Sequence, residues 1–121
     1  MKRNRRLLYV WALVVLGTGC DTAFERDLGD KKVVLLGPAN NFTSTDTLQT
    51  FYWDRLDGAV QYRLQVVAPR FDFITRFVAD TIISRNNFLI DLDRGSYQWR
   101  VTGMNSSSST IQPDTWNLVI R

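Results

Sequence analysis

Between Lys32 and Arg121 apolar side chains recur at every second position in short runs, and turn residues separate the runs. Alternation of this kind places one row of side chains on each face of an extended strand. The clearest case is Gln61 to Val67, where Tyr62, Leu64 and Val66 share one face and Gln61, Arg63 and Gln65 the other. Thr47 to Trp53 sets Phe51 in phase with Trp53. Asn87 to Leu92 aligns Phe88, Ile90 and Leu92, Ser96 to Asn105 aligns Tyr97, Trp99 and Val101, and Thr115 to Ile120 aligns Trp116, Leu118 and Ile120. Lys32 to Leu36 is β-branched and apolar and stops at the turn signal Gly37-Pro38. A short edge strand is predicted over Phe77 to Ile82. Asp57-Gly58, lying between two apolar runs, is a hairpin signal, and Ser106 to Ser109 reads as a flexible turn. No stretch of ten residues after Cys20 carries a helical period.

These runs predict an all-β chain. Roughly seven strands in residues 32–121, spaced by turns, are the pattern of an immunoglobulin-like antiparallel sandwich. Phase assigns Trp53, Tyr62, Leu64, Val66, Leu92, Tyr97, Trp99 and Val101 to its core. A domain of that size buries about 60% of its unfolded surface, enough to fold without disulfides.

The pattern changes before Cys20. Lys2, Arg3, Arg5 and Arg6 precede an unbroken apolar run from Leu7 to Leu16, and Gly17-Thr18-Gly19 follows it. That order is a secretory signal peptide, removed after residue 19. The run is too short to span a bilayer, which takes about 20 apolar residues. Charge changes with it. The chain carries +3, yet four of its fifteen basic residues and none of its twelve acidic ones lie before Cys20, so eleven face twelve afterwards and the net is −1. The clustered positive surface that nucleic acid needs is therefore not expected.

Cys20 is the only cysteine, so no internal disulfide can form. Its place directly after Gly19 resembles a bacterial lipoprotein signal, although Gly17 stands where that pattern has an aliphatic residue. The resemblance implies an acylated Cys20, a membrane partner held through acyl chains, and a site in the outer membrane of a Gram-negative cell. The alternative is ordinary cleavage beside an unpaired thiol. Two or more acyl chains hold where one is marginal. Residues 20–31 then form the lipidated cysteine and a flexible tether, of which Asp21 to Lys31 reaches at most about 38 Å, with Phe24 and Leu28 expected to be mobile or, as the alternative, docked on the domain.

Within the strands, "GPANN" leading to "TFYW", then "LDGAVQYRLQV" and "YQWRVTGMN", resembles the fibronectin type III domain of bacterial surface proteins. Trp53 matches the core tryptophan of the second strand, and Tyr62, Leu64 and Val66 match the inner face of the third. Leu92, Gly95 and Tyr97 resemble the tyrosine corner, in which a phenol hydroxyl bonds back to the preceding loop. The corner here is one residue shorter than the family's, with Arg94 and a single Ser96 around Gly95.

Chemistry is sparse. The chain has no histidine, its sole glutamate is Glu25 in the tether, and the serines at 106 to 109 have no evident base. Asp91 and Asp93 near Gly95 miss the spacing of a calcium loop, whose twelfth position here is Thr102 rather than glutamate. Neither catalysis nor a metal or cofactor is expected.

Two surfaces are candidates for binding. Arg63 and Gln65 on the third strand should lie beside Gln98 and Arg100 on the sixth, a row of amides and guanidinium groups suited to hydroxyl-rich or acidic ligands. Trp116, the tryptophan expected to be partly exposed, would add a stacking surface for sugars. The second surface is Phe71, Phe73 and Phe77, which either plug the core's open end or form an apolar patch for a partner. Asp-Thr pairs at Thr22, Thr47 and Thr81 resemble O-glycosylation sites of some Gram-negative surface lipoproteins. The expected role is a non-catalytic interaction or scaffolding module that docks on another envelope protein. The alternative is a carbohydrate-binding accessory of an outer-membrane nutrient-uptake system.

Overall fold

The computed structural model describes residues 25–121; the expected signal peptide, Cys20 and Thr22 lie outside them. Eight strands form: β1 (Leu35–Gly37), β2 (Phe42–Ser44), β3 (Leu48–Trp53), β4 (Gln61–Arg70), β5 (Phe73–Ile83), β6 (Asn87–Asp91), β7 (Gly95–Met104) and β8 (Trp116–Ile120). No helix occurs among the described residues. The strands make two sheets, β1-β3-β6 and β2-β8-β7-β4-β5, and the buried faces of both meet in one core.

Burial follows the two-residue period. In β3, Gln49, Phe51 and Trp53 point inward; in β7, Tyr97, Trp99 and Val101 do so. Trp53, Tyr62, Leu64, Val66, Leu92, Tyr97, Trp99 and Val101 are all buried, with Phe51, Leu118 and Ile120 beside them. Edge-to-face contacts order the aromatic centre: Phe51 lies 5.0 Å from Trp99 across the two sheets, and Trp53 lies 5.8 Å from Tyr62. Such pairs add about 0.5 to 1.5 kcal/mol each beyond the area they bury. The Tyr62 hydroxyl also accepts a bond from the Leu56 amide (2.9 Å), fixing the loop between β3 and β4.

The short corner closes. Tyr97 donates its hydroxyl proton to the carbonyl of Asp93 at 2.5 Å, across Gly95 at φ 150°. A positive φ there is open to glycine at little steric cost, which accommodates the missing residue.

Four readings of the sequence need correction. An eighth strand, β2, pairs in parallel with β8, Phe42 opposite Leu118; three residues are too few to show a period. The turn at Asp57-Gly58 does not close a hairpin, because β3 and β4 belong to different sheets and the turn carries the chain across the sandwich. The predicted edge strand is longer, Phe73 to Ile83, and joins β4 in a long hairpin.

The fourth correction concerns the tether. Residues 25–31 lie against the domain, and Leu28 is fully buried. Its amide donates to Ser108 Oγ at 3.0 Å, while Asn105 Nδ2 donates to the carbonyls of Arg26 (2.7 Å) and Gly58 (3.1 Å). The serine turn is correspondingly ordered: the Asn105 side-chain oxygen accepts from the amides of Ser107 and Ser108.

Candidate functional site

The five-stranded sheet brings the predicted polar row together. Gln65 on β4 stands directly opposite Arg100 on β7, and Val67 opposite Gln98. On the other side of β4, Arg63 faces Ile82 and Gln65 faces Asp80 of β5. The row therefore runs Asp80, Gln65, Arg100 across three strands.

Its polar groups are largely occupied by one another. Arg63 makes a two-pronged contact with Asp80, both bonds at 2.8 Å. Hydrogen bonds from Arg63 hold the Asp80 carboxyl below its ordinary range, against the opposing effect of desolvation, and raise the Arg63 guanidinium in turn. Arg100 Nε donates to Gln65 Oε1 at 3.0 Å, and Gln98 Nε2 donates to Asn117 Oδ1 at 2.9 Å.

Phe71 packs over this face, whereas Phe73 and Phe77 are exposed. It sits in the turn between β4 and β5, its amide donates to Gln98 Oε1 (2.9 Å), and the Arg100 guanidinium lies 4.0 Å above its ring centre. Val67, which alternation places on this outer face, is fully buried. The turn thus folds back over the sheet and covers the centre of the polar row.

Phe73 and Phe77 remain outside, 63% and 56% exposed, with Ile74 and Ile82 also exposed on the same strand. All of them lie on β5, whose far edge pairs with no other strand among the described residues. Its ladder with β4 is irregular at two places, between Val66 and Val67 and between Ala68 and Pro69. Irregularities of this kind, with Arg76 and Asp80 along the strand, protect a free edge against indiscriminate strand pairing while leaving its side chains accessible.

Trp116 is half-buried and meets Trp99 edge-on, 5.9 Å apart at 86°. Thr47 is exposed beside an Asx turn in which Asp46 accepts from the Leu48 amide, whereas Thr81 is half-buried in β5. Asp93 pairs with Arg76 at 3.4 Å. Among the described residues no group of three or more acidic, histidine or cysteine side chains is placed to hold a metal ion.

One surface was not anticipated. The outer face of β1-β3-β6 presents Leu36, Leu48, Tyr52 and Leu89, all exposed, with Thr50 between Leu48 and Tyr52 and opposite Leu89. The Tyr52 ring lies where a side chain at Gly37 would otherwise stand. The signal was present in the sequence as leucines in the polar phase of two strands.

No family model matches the chain, and no curated protein matches it. Among solved structures, the fibronectin type III domain of human fibronectin type III domain containing protein 3 superposes with a TM-score of 0.51 at 12% identity, covering 76% of this chain and 86% of that one. The fold is that of a fibronectin type III domain. A second structure, described as FN3tt mut, aligns more loosely, with a TM-score of 0.42 at 17% identity over 72% of this chain and 83% of that one. The fibronectin type III fold hosts many unrelated roles, so role must come from the surfaces.

Proposed function

We propose that the chain is a lipid-anchored cell-envelope protein, held through acyl chains on Cys20 in the outer membrane of a Gram-negative cell, that acts by non-catalytic docking on another envelope protein. The observation that carries the docking reading is the β5 surface. Phe73, Ile74, Phe77 and Ile82 stand exposed on one strand at the free edge of the larger sheet. Exposed aromatic side chains are frequent anchors of a protein interface.

The carbohydrate-binding alternative draws less support from the same geometry. Its polar row is bonded internally and covered by Phe71, and Trp116 offers an edge-on contact to Trp99 rather than a free flat ring.

A photocrosslinking amino acid at position 77, compared with one at position 89 on the opposite sheet, tests the docking in native membranes. A discrete crosslinked protein at 77, absent at 89 and lost in Phe73→Asp, is the expected result. Equal labelling at both positions, or labelling indifferent to Phe73→Asp, overturns it. Mass spectrometry of the mature N-terminal peptide tests the anchor, and a free Cys20 thiol or an uncleaved leader overturns that part.

A further inference from the structure

Building on the lipid-anchor reading, we propose that residues 25–31 form a clamp that turns one end of the domain toward the bilayer and points the β4–β5 hairpin away from it. The clamp is made by two loops that close on the segment from either side. From the loop after β7, Ser108 Oγ accepts the Leu28 amide, Asn105 Nδ2 reaches the Arg26 carbonyl, Ser106 donates its hydroxyl to the Glu25 carboxylate, and the Ile111 amide donates to the Lys31 carbonyl at 3.0 Å. From the loop before β4, Asp57 pairs with Arg26, and Gly58 at φ 92° packs so closely that a Cβ there would come within 2.8 Å of Arg26 Cβ and 3.3 Å of Leu28 Cδ2.

Two consequences follow from covalent geometry. The free length between Cys20 and the first clamped residue, Glu25, is five peptide steps, at most about 18 Å instead of the 38 Å of an undocked tether. Both clamping loops lie at the end of the sandwich where β4 begins. β4 then runs from Gln61 to Arg70 away from them before the turn at Phe71-Asp72, nine steps or at most about 30 Å. With its N-terminal segment fixed at one end and the hairpin tip at the other, the domain shows its loop end to the lipid headgroups. Phe73 and Ile74, paired with Arg70 and Pro69 beside the tip, face the aqueous side, where they meet a water-exposed domain of the partner rather than a membrane-embedded surface, while Ile82, opposite Arg63, lies toward the clamp end.

The test uses the acylated protein on phosphatidylethanolamine/phosphatidylglycerol vesicles carrying a lipid-bound energy acceptor. A donor dye is placed on Ser107→Cys at the clamp end or on Asp72→Cys at the hairpin tip. Transfer several-fold stronger from position 107 than from 72 is expected, and a long Gly-Ser linker inserted between Cys20 and Glu25 should reduce that difference while leaving the fold intact. Equal transfer from both positions in the parent overturns the orientation while leaving the anchor standing. Vesicles that retain no protein, together with a maleimide-reactive Cys20, overturn the anchor and the orientation with it. Amide exchange reads the clamp without any membrane: slow exchange at Leu28, accelerated in Ser108→Ala, supports it, and fast exchange at Leu28 in the parent overturns it.

Discussion

The guanidinium of Arg100 lies 4.0 Å above the ring of Phe71, and this one contact joins two surfaces that the sequence presents as separate. Arg100 belongs to the polar row and Phe71 to the aromatic cluster, yet they cover each other. Replacing either should destabilise the domain. In a double-mutant cycle with Phe71→Ala and Arg100→Ala, the pair should couple by about 0.5 to 1 kcal/mol. Urea unfolding of the four proteins measures it, and strictly additive losses would show that the contact contributes nothing.

Leu28→Ala should cost about 2 to 5 kcal/mol, the loss expected for a fully buried leucine that leaves a cavity. A leucine in a free tether would cost nothing. Thermal unfolding of the variant separates the two outcomes directly, because no other change is made to the domain.

The Tyr97 hydroxyl closes the corner onto Asp93. Tyr97→Phe keeps the buried ring and removes this bond together with the longer one that the hydroxyl accepts from Arg76 Nη2 (3.4 Å), so a loss of about 1 kcal/mol is expected. Equal stability of variant and parent in urea would mean that the shortened corner is held by the ring alone.

The Arg63 and Asp80 pair gives the protein an acid-side dependence. Its carboxyl is held below the ordinary range in the folded state, so protons bind the unfolded chain more readily over that interval. The stabilising contribution is complete above the unfolded pKa and disappears as pH falls through the folded one. Asp80→Asn should therefore lower stability at neutral pH and flatten the acid limb of a stability profile, with parent and variant converging at low pH. A constant offset at every pH would assign the effect to packing.

Phe73→Asp and Phe77→Asp change exposed side chains and should leave stability within about 0.5 kcal/mol of the parent. Unfolding far outside that range would show that these rings support the fold.

How much of this was legible in the sequence depends on the range of the contact. Tyr62, Leu64 and Val66 announce their face because the period is local, and so do Tyr97, Trp99 and Val101. The burial of Leu28 has no local signature: one leucine among charged residues becomes buried only through loops 30 and 80 positions away, at Gly58 and Ser108. Asp57-Gly58 was legible as a turn but not as a crossing between sheets, since the dipeptide fixes backbone direction and not partner strands. The polar row was placed on the correct strands by fold resemblance. What closes it, Asp80 opposite Gln65 and Phe71 folded over Arg100, depends on the register of the β4–β5 hairpin. Three phenylalanines close together in sequence looked like one cluster, but the first lies half-buried against Arg100 while the other two are exposed.

The parallel pairing of β2 with β8 has a mechanical consequence. Phe42, Thr43 and Ser44 lie alongside Leu118, Val119 and Ile120 with both strands pointing the same way. A pull that draws the segment before β2 one way and Arg121 the other slides these strands past each other along their length. All of the ladder bonds then share the load at once, instead of opening one after another as in a hairpin peeled from its end. A pull that reaches the segment before β2 is in this way resisted by the whole β2–β8 ladder at once.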